Sequence, residues 1–242
     1  MEDDIDHSEG SIQMNGGSSP DFKWVMKGDG GRELLRELMP RIRENPESTF
    51  LILPTKRMVT ESKRIVVEEL GGGFTSGIMT PRKFAHILYD RLGGSAPLGD
   101  SGLRDAAVRR IMNGIRIPHL KSRSVPVGGM AGRVSRVIGE LLLNGVDPGR
   151  LGSAARGERA RDLNMIFSRY MSLLRERRIV DRDMLASEVM KLLDHDREAL
   201  SGIEIGVYMP GRLDRSYVDL FRELSNRCRC TEKRRRRVRK SS

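Results

Sequence analysis

At 242 residues and 38% hydrophobic content, the chain can bury the core of one large domain or two small ones. No uninterrupted apolar run reaches bilayer-crossing length, and residues Met1 to Pro20 are acidic and polar where a signal peptide is basic and then apolar, so a cytoplasmic protein with no membrane partner is expected. The formal net charge of +11 is unevenly placed: Arg227 to Ser242 carry nine Lys/Arg against one acid, Glu232, whereas Met1 to Pro20 carry five acids and no Lys/Arg. The body between is moderately basic, which suits contact with phosphates.

In chain order, residues 1–21 are rich in Asp, Ser and Gly and lack apolar periodicity, which predicts a disordered acidic leader. Trp24, Val25 and Met26 read as a short strand that passes through Gly28, Gly30 and Gly31 into a helix bearing Leu34, Leu35 and Leu38. Phe50 to Leu53 are four consecutive apolar residues, the pattern of a strand covered on both faces in a parallel sheet. A helix with Met58, Ile65, Val66 and Leu70 inside follows, and Gly71-Gly72-Gly73 stops it. A short strand then ends at Thr80, and a helix opens at Pro81, where the missing N–H costs nothing.

Strand and helix alternating through short joins predict parallel β-α-β units. From about Arg91 the character changes, and from Ser101 to Leu200 only helices are expected, through Met130, Val134, Val137, Ile138, Leu141 and Leu142, then Leu163, Ile166, Phe167, Tyr170, Leu173 and Leu174. Asp181 is a candidate N-cap for a helix carrying Leu185, Val189, Leu192 and Leu193. Ile203 to Met209 return to strand, followed by a helix packed through Val218, Phe221 and Leu224. The expected fold class is α/β: a parallel-sheet core over 22–90 and 201–226, an all-helical insertion over 91–200, and a basic flexible tail over 227–242.

Two groups of residues carry candidate chemistry. Aligned with the phosphate-loop pattern G-x-x-x-x-G-K-[ST], the octet Met26 to Glu33 puts Gly31 at the second glycine, Arg32 at the lysine and Glu33 at the hydroxyl position. Lysine is needed to reach the β and γ phosphates and the hydroxyl to hold Mg²⁺, so a loop of this composition has lost hydrolysis; Glu33 also places a carboxylate where a triphosphate would sit. An ordinary Gly-rich turn fits the same octet. The second group lies where strands end: Thr55, Lys56 and Arg57 after one strand, Thr80, Arg82 and Lys83 after the next. A hydroxyl, two cations and a helix N-terminus at the carboxyl edge of a sheet suit a nucleic-acid backbone.

Other chemistries are not expected. Cys228 and Cys230, one residue apart, fit free thiols better than a metal site, and His7, His86, His119 and His195 are scattered, so no zinc or iron–sulfur site is expected. Asp181 and Asp183 fit capping better than catalysis, and no Ser/His/Asp or Cys/His constellation is visible. The tail EKRRRRVRK (Glu232 to Lys240) would bind any polyanion with little sequence preference. Its composition also suits a solvated basic run or the end of an interrupted gene.

Taken together, the Gly-rich stretch, LILPTKRMVTESKRIV, GIMTPRKFAHILYDRLGG, DSGLRDAAVRRIMNGI, LNMIFSRYMSLLRERRIVDRDML and GIEIGVYMPG resemble, over roughly Phe22 to Leu224, the N-terminal part of the B subunit of ATP-dependent helicase/nucleases of the AddB/RexB type, relatives of the UvrD-like superfamily 1 helicases. The resemblance implies that Met26 to Glu33 is the Walker A loop of a RecA-like P-loop domain, with Gly28, Gly30, Gly31, Arg32 and Glu33 its degenerate nucleotide-binding residues. It implies that Leu51 to Arg57 is the DNA-contacting strand and turn called motif Ia, and that Thr80 is a further backbone contact. The helical stretch would be the subdomain inserted in that domain. The later helicase motifs and the nuclease carboxylates and cysteines of the family are not visible. The implied function is a DNA-binding, ATPase-inactive part of a helicase/exonuclease in double-strand-break repair and recombination. Single-stranded or unwinding DNA and a helicase/nuclease subunit would be its partners, with no cofactor required and ATP/Mg²⁺ doubtful. The alternatives are a P-loop NTPase that binds nucleotide in its own right and a non-enzymatic adaptor with a nucleic-acid-binding tail.

Overall fold

A computed structural model describes the backbone of residues 22–25, 30–72, 75–120, 127–195, 200 and 202–240, with side chains over 31–72, 75–120, 129–195, 200 and 202–227. The expected leader, Gly28 and the side chains of Cys228 and Cys230 lie outside the described residues. In chain order the elements are β1 (Phe22–Val25), α1 (Gly30–Glu44), β2 (Thr49–Ile52), α2 (Lys56–Leu70), β3 (Ile78–Met79), α3 (Pro81–Arg91), β4 (Leu98–Gly99) and α4 (Ser101–Gly114). Then come α5 (Val127–Leu143), α6 (Pro148–Ala154), α7 (Glu158–Arg177), β5 (Val180–Asp181), a 3-10 turn (Arg182–Met184), α8 (Leu185–His195), β6 (Glu204–Tyr208) and α9 (Arg215–Lys240).

The fold is α/β around a small parallel sheet of order β1-β6-β2-β3. The strand latest in sequence is inserted between the first two, with Gly206 opposite Leu51 in β2 and Lys23 in β1. Every residue of β2 is buried, as its unbroken apolar run requires of a strand covered on both sides. Alternation sorts its side chains: Leu51 and Leu53 meet Leu34, Leu35, Leu38 and Ile42 of α1 and Val66 of α2. Phe50 and Ile52 turn the other way, onto Phe84 of α3, Val189 of α8 and Phe221 of α9. The result is three layers, with α1 and α2 on one face and α3, α8 and α9 on the other. Gly206 sets the spacing of the first face: a Cβ there would come within 2.5 Å of Leu38 Cδ1, so only glycine lets α1 lie this close to β6.

Local chemistry fixes the helix ends. Thr55 caps α2 by accepting the Met58 N–H at 3.2 Å, and Gly71, at φ 66, closes it in the left-handed conformation. Pro81 occupies the first position of α3, and Asp100 and Asp147 cap α4 and α6 through their carboxylates.

Between β3 and β6 the chain builds a second core, with Val108 and Met112 of α4, Val134, Ile138 and Leu142 of α5, and Ile166, Phe167, Tyr170 and Leu174 of α7. Val137, expected inside, is 41% exposed, because the buried stripe of α5 runs through 131, 134, 138 and 142 and leaves 137 on its flank. Nor is the segment purely helical. Leu98 and Gly99 pair in parallel with Val180 and Asp181, so two short strands clamp the start and end of the α4–α7 unit together. Runs of two residues carry no readable period, which is why the sequence does not announce them. The helix α8, within the 91–200 span, packs on the sheet with the first core. The backbone of α9 continues across the boundary expected at 226 to Lys240. Among the described residues no helix is long and apolar enough to cross a membrane.

Candidate functional site

Because the sheet strands are all parallel, their carboxyl ends share one edge, and each is followed there by the start of a helix. Along the edge the order is α1, α9, α2, α3. Since α1 and α2 cover one face and α3 and α9 the other, neighbouring strands repeatedly send the chain to opposite sides. Open α/β sheets have their ligand crevice outside the strand ends at such reversals. Four helix N-termini, each carrying a partial positive charge, converge on the same edge.

The second strand end is the least encumbered. Thr55 is exposed and engaged only as a cap, and Lys56 and Arg57 are exposed in the first turn of α2, where their side chains form no ion pair among the described residues. At the third, Thr80 opens α3 without a side-chain capping bond, leaving its hydroxyl to other partners, and Lys83 is exposed. Arg82 is not unengaged: its Nη2 donates to Asp183 Oδ1 at 2.6 Å, across a sequence separation of 101 residues. At the first, Gly30 begins α1 and Gly31 packs on the ring of Tyr208, which a Cβ at that position would approach to 3.0 Å. Arg32 reaches Glu61 of α2 at 3.5 Å with both side chains largely in solvent, and Glu33 is exposed in the first turn. The first turn of α1 therefore has an aromatic ring beneath it, a carboxylate beside it and an arginine drawn toward α2, while residues 26–29 of the expected loop lie outside the described residues.

The fourth strand end supplies residues that the sequence reading did not single out. After β6 the chain runs through Arg212 and Asp214 into Arg215, all exposed, with Arg215 Nε 3.7 Å from Asp219. The signal was present: MPGRLDR repeats the strand, turn, cation and helix order of LPTKR and MTPRK. Among the described residues, Glu33, Glu61, Asp183, Asp214 and Asp219 are acids of the helix starts and partners at this edge. A recess of about 650 Å³ between α1 and α2 lies toward the opposite edge, and its lining mixes Arg36 and Arg43 with Glu44 and Glu69.

Behind the edge is a buried polar joint. Arg104, on the inner stripe of α4, donates through Nη1 to both oxygens of Asp181 at 2.9 Å and lies 2.8 Å from Asp183 Oδ2. Tyr170 donates to Asp181 Oδ2 at 2.6 Å, and the Asp183 N–H donates to Asp181 Oδ1 at 2.8 Å, so Asp181 caps the 3-10 turn and neutralises the arginine at once. Burial works against the charge on Arg104, but Asp181 and Asp183 outweigh it and hold its pKa above the ordinary arginine value. Burial first, and then the bond to Asp181, push the Tyr170 hydroxyl far up. Gly139 of α5 closes the joint, since a Cβ there would lie 2.6 Å from Arg104 Nη2. Nearby, the Ser216 hydroxyl at the head of α9 donates to the Leu143 carbonyl at the end of α5, at 2.6 Å.

Among the described residues no group of His, Cys, Asp and Glu is arranged to hold a metal ion. The chain matches no protein-family model and no curated protein.

Proposed function

We propose that the chain is a DNA-binding module without ATPase activity of its own, related to the N-terminal RecA-like domain of a helicase/exonuclease B subunit. It engages single-stranded or unwinding DNA along the carboxyl edge of the sheet. The observation that carries this reading is the exposed run Thr55-Lys56-Arg57 at a helix start, flanked along one edge by Thr80 and Lys83 and by Arg212 and Arg215. Backbone phosphates are recognised by this combination of cations, hydroxyls and helix N-termini. The placement of a helical unit between the third strand and the strand that returns beside the first supports the RecA-like assignment. The seat under α1 favours an inactive nucleotide loop, because Arg32 and Glu33 stand where lysine and a hydroxyl would be required. Work on DNA would then come from a partner helicase/nuclease subunit in double-strand-break repair.

The test is a salt series of binding to labelled oligothymidylate by the full chain, by Lys56→Ala/Arg57→Ala, and by a tail-neutral chain whose cations Arg229, Lys233 to Arg237, Arg239 and Lys240 are replaced by Gln. The edge reading expects the tail-neutral chain to keep binding and the edge variant to lose affinity, with a salt slope shallower by about 1.4 for two phosphate contacts. Binding that disappears with the tail charges and ignores Lys56 and Arg57 would sink it in favour of an adaptor with a basic tail.

A further inference from the structure

One carboxylate connects the sheet edge to the buried joint. Asp183 accepts from Arg82 through Oδ1 and lies against Arg104 through Oδ2, at 2.6 and 2.8 Å. Its two partners differ in freedom, since the Arg104 side chain is 6% exposed and that of Arg82 57%. Beside the Arg82–Asp183 pair stands Tyr217 of α9, itself 4% exposed, whose buried O–H lies near the Arg82 guanidinium and has no acceptor at hydrogen-bond geometry. Burial raises its pKa, Arg82 opposes that rise both as a charge and as a hydrogen-bonding group, and Asp183 and then Asp214 add to it, so both members of the pair act on the hydroxyl. A buried hydroxyl left unpaired costs about 1–3 kcal/mol and demands a reason.

We propose that Arg82 is a coupling residue that exchanges between Asp183 and a DNA phosphate at the sheet edge, with the Tyr217 hydroxyl replacing it on Asp183 when it leaves. The proposal rests on the edge being the DNA surface. With Arg82 on Asp183, the orphan is Tyr217. With Arg82 turned outward to phosphate, Tyr217 donates to Asp183 Oδ1 while Arg104 keeps Oδ2, so no buried carboxylate is stranded without a donor. The two arrangements are close in satisfied bonds, the condition under which a ligand that favours one of them can shift the balance. Linkage then requires that DNA on the edge loosen the tie between α3 and the joint, and that loosening the tie strengthen DNA binding by the same factor.

The experiment measures oligothymidylate binding at one low salt concentration, together with thermal melts. It uses the full chain with Gln at the tail cations so that the folded body reports. Tyr217→Phe deletes only the replacement donor. It is expected to weaken binding about two- to tenfold, the worth of one hydrogen bond, with the melting temperature unchanged or higher. Asp183→Asn weakens the hold on Arg82 and is expected to tighten binding by a similar factor. In an Arg82→Ala background both effects vanish. An unchanged Kd for Tyr217→Phe, or an effect that persists without Arg82, overturns the coupling. In that case a loss of affinity in Lys56→Ala/Arg57→Ala still upholds the edge reading. No binding by the tail-neutral chain overturns both. If Asp183→Asn does not fold, Tyr217→Phe with and without Arg82 decides the matter alone.

Discussion

Arg104 and the cations at the carboxyl edge of the sheet are the same chemistry in two environments. Arg104 is 5% exposed and gripped by two carboxylates, whereas Lys56 and Arg57 stand in solvent with no acid holding them among the described residues. Inside, the charge of a guanidinium must be matched by carboxylates, as Asp181 and Asp183 match Arg104 through Nη1 while its buried Nε stays unpaired, or the fold loses several kcal/mol. Outside, a cation contributes almost nothing to stability and is therefore available to a ligand. Burial, more than residue type, separates the arginines that hold this protein together from those that can hold something else. Arg82 straddles the divide, with one end of its ion pair in each environment.

The comparison can be broken most decisively at Arg104. Arg104→Ala leaves Asp181 buried without its cation and Asp183 held only by Arg82, and is expected to cost about 3–5 kcal/mol, seen as a large drop in denaturation midpoint; a loss below about 1 kcal/mol would contradict the structural role of the joint. Gly139→Ala, whose methyl would meet the pinned guanidinium 2.6 Å away, is expected to cost about 1–3 kcal/mol in the same measurement.

Smaller effects sharpen the contrast. Burial and Asp181 raise the folded-state pKa of Tyr170, so its stabilising contribution is intact below the unfolded-state value near 10 and is lost as pH rises above it. Chemical denaturation across that range should show an alkaline decline that Tyr170→Phe reduces. At the edge, Lys56→Ala/Arg57→Ala should leave stability within about 0.5 kcal/mol of the parent while weakening DNA binding, the reverse of the Arg104 signature. Least of all, Arg32→Ala removes only a solvent-exposed pair with Glu61 and should change neither stability measurably nor any background ATP turnover.

The sequence discloses what depends on neighbours along the chain. Phe50 to Leu53 announce a doubly covered strand, Thr55 and Pro81 announce helix starts, and Gly71 announces a stop, because each rests on local backbone chemistry. It conceals what depends on distant pairing. Nothing local says that β6 enters between β1 and β2, and that insertion is what brings Arg212 and Arg215 to the edge beside Lys56. Nor does LRDAAVRR distinguish Arg104, at the head of a buried i, i+4, i+8 row with Val108 and Met112, from its exposed neighbours Arg109 and Arg110. Asp181 is legible as a cap. Its bonds to Arg104 and Tyr170 are not, and neither is the pairing of Arg82 with Asp183.

The central claim is a location, and photocrosslinking of a 4-thiothymidine-substituted oligonucleotide to the full chain, followed by peptide mapping, tests it most directly. The account predicts crosslinks at the strand ends of one edge, in residues 53–60, 80–84 and 209–216, that decline in Lys56→Ala/Arg57→Ala. Crosslinks confined to 228–240, or to the opposite edge around 44–49 and 202–204, would contradict it.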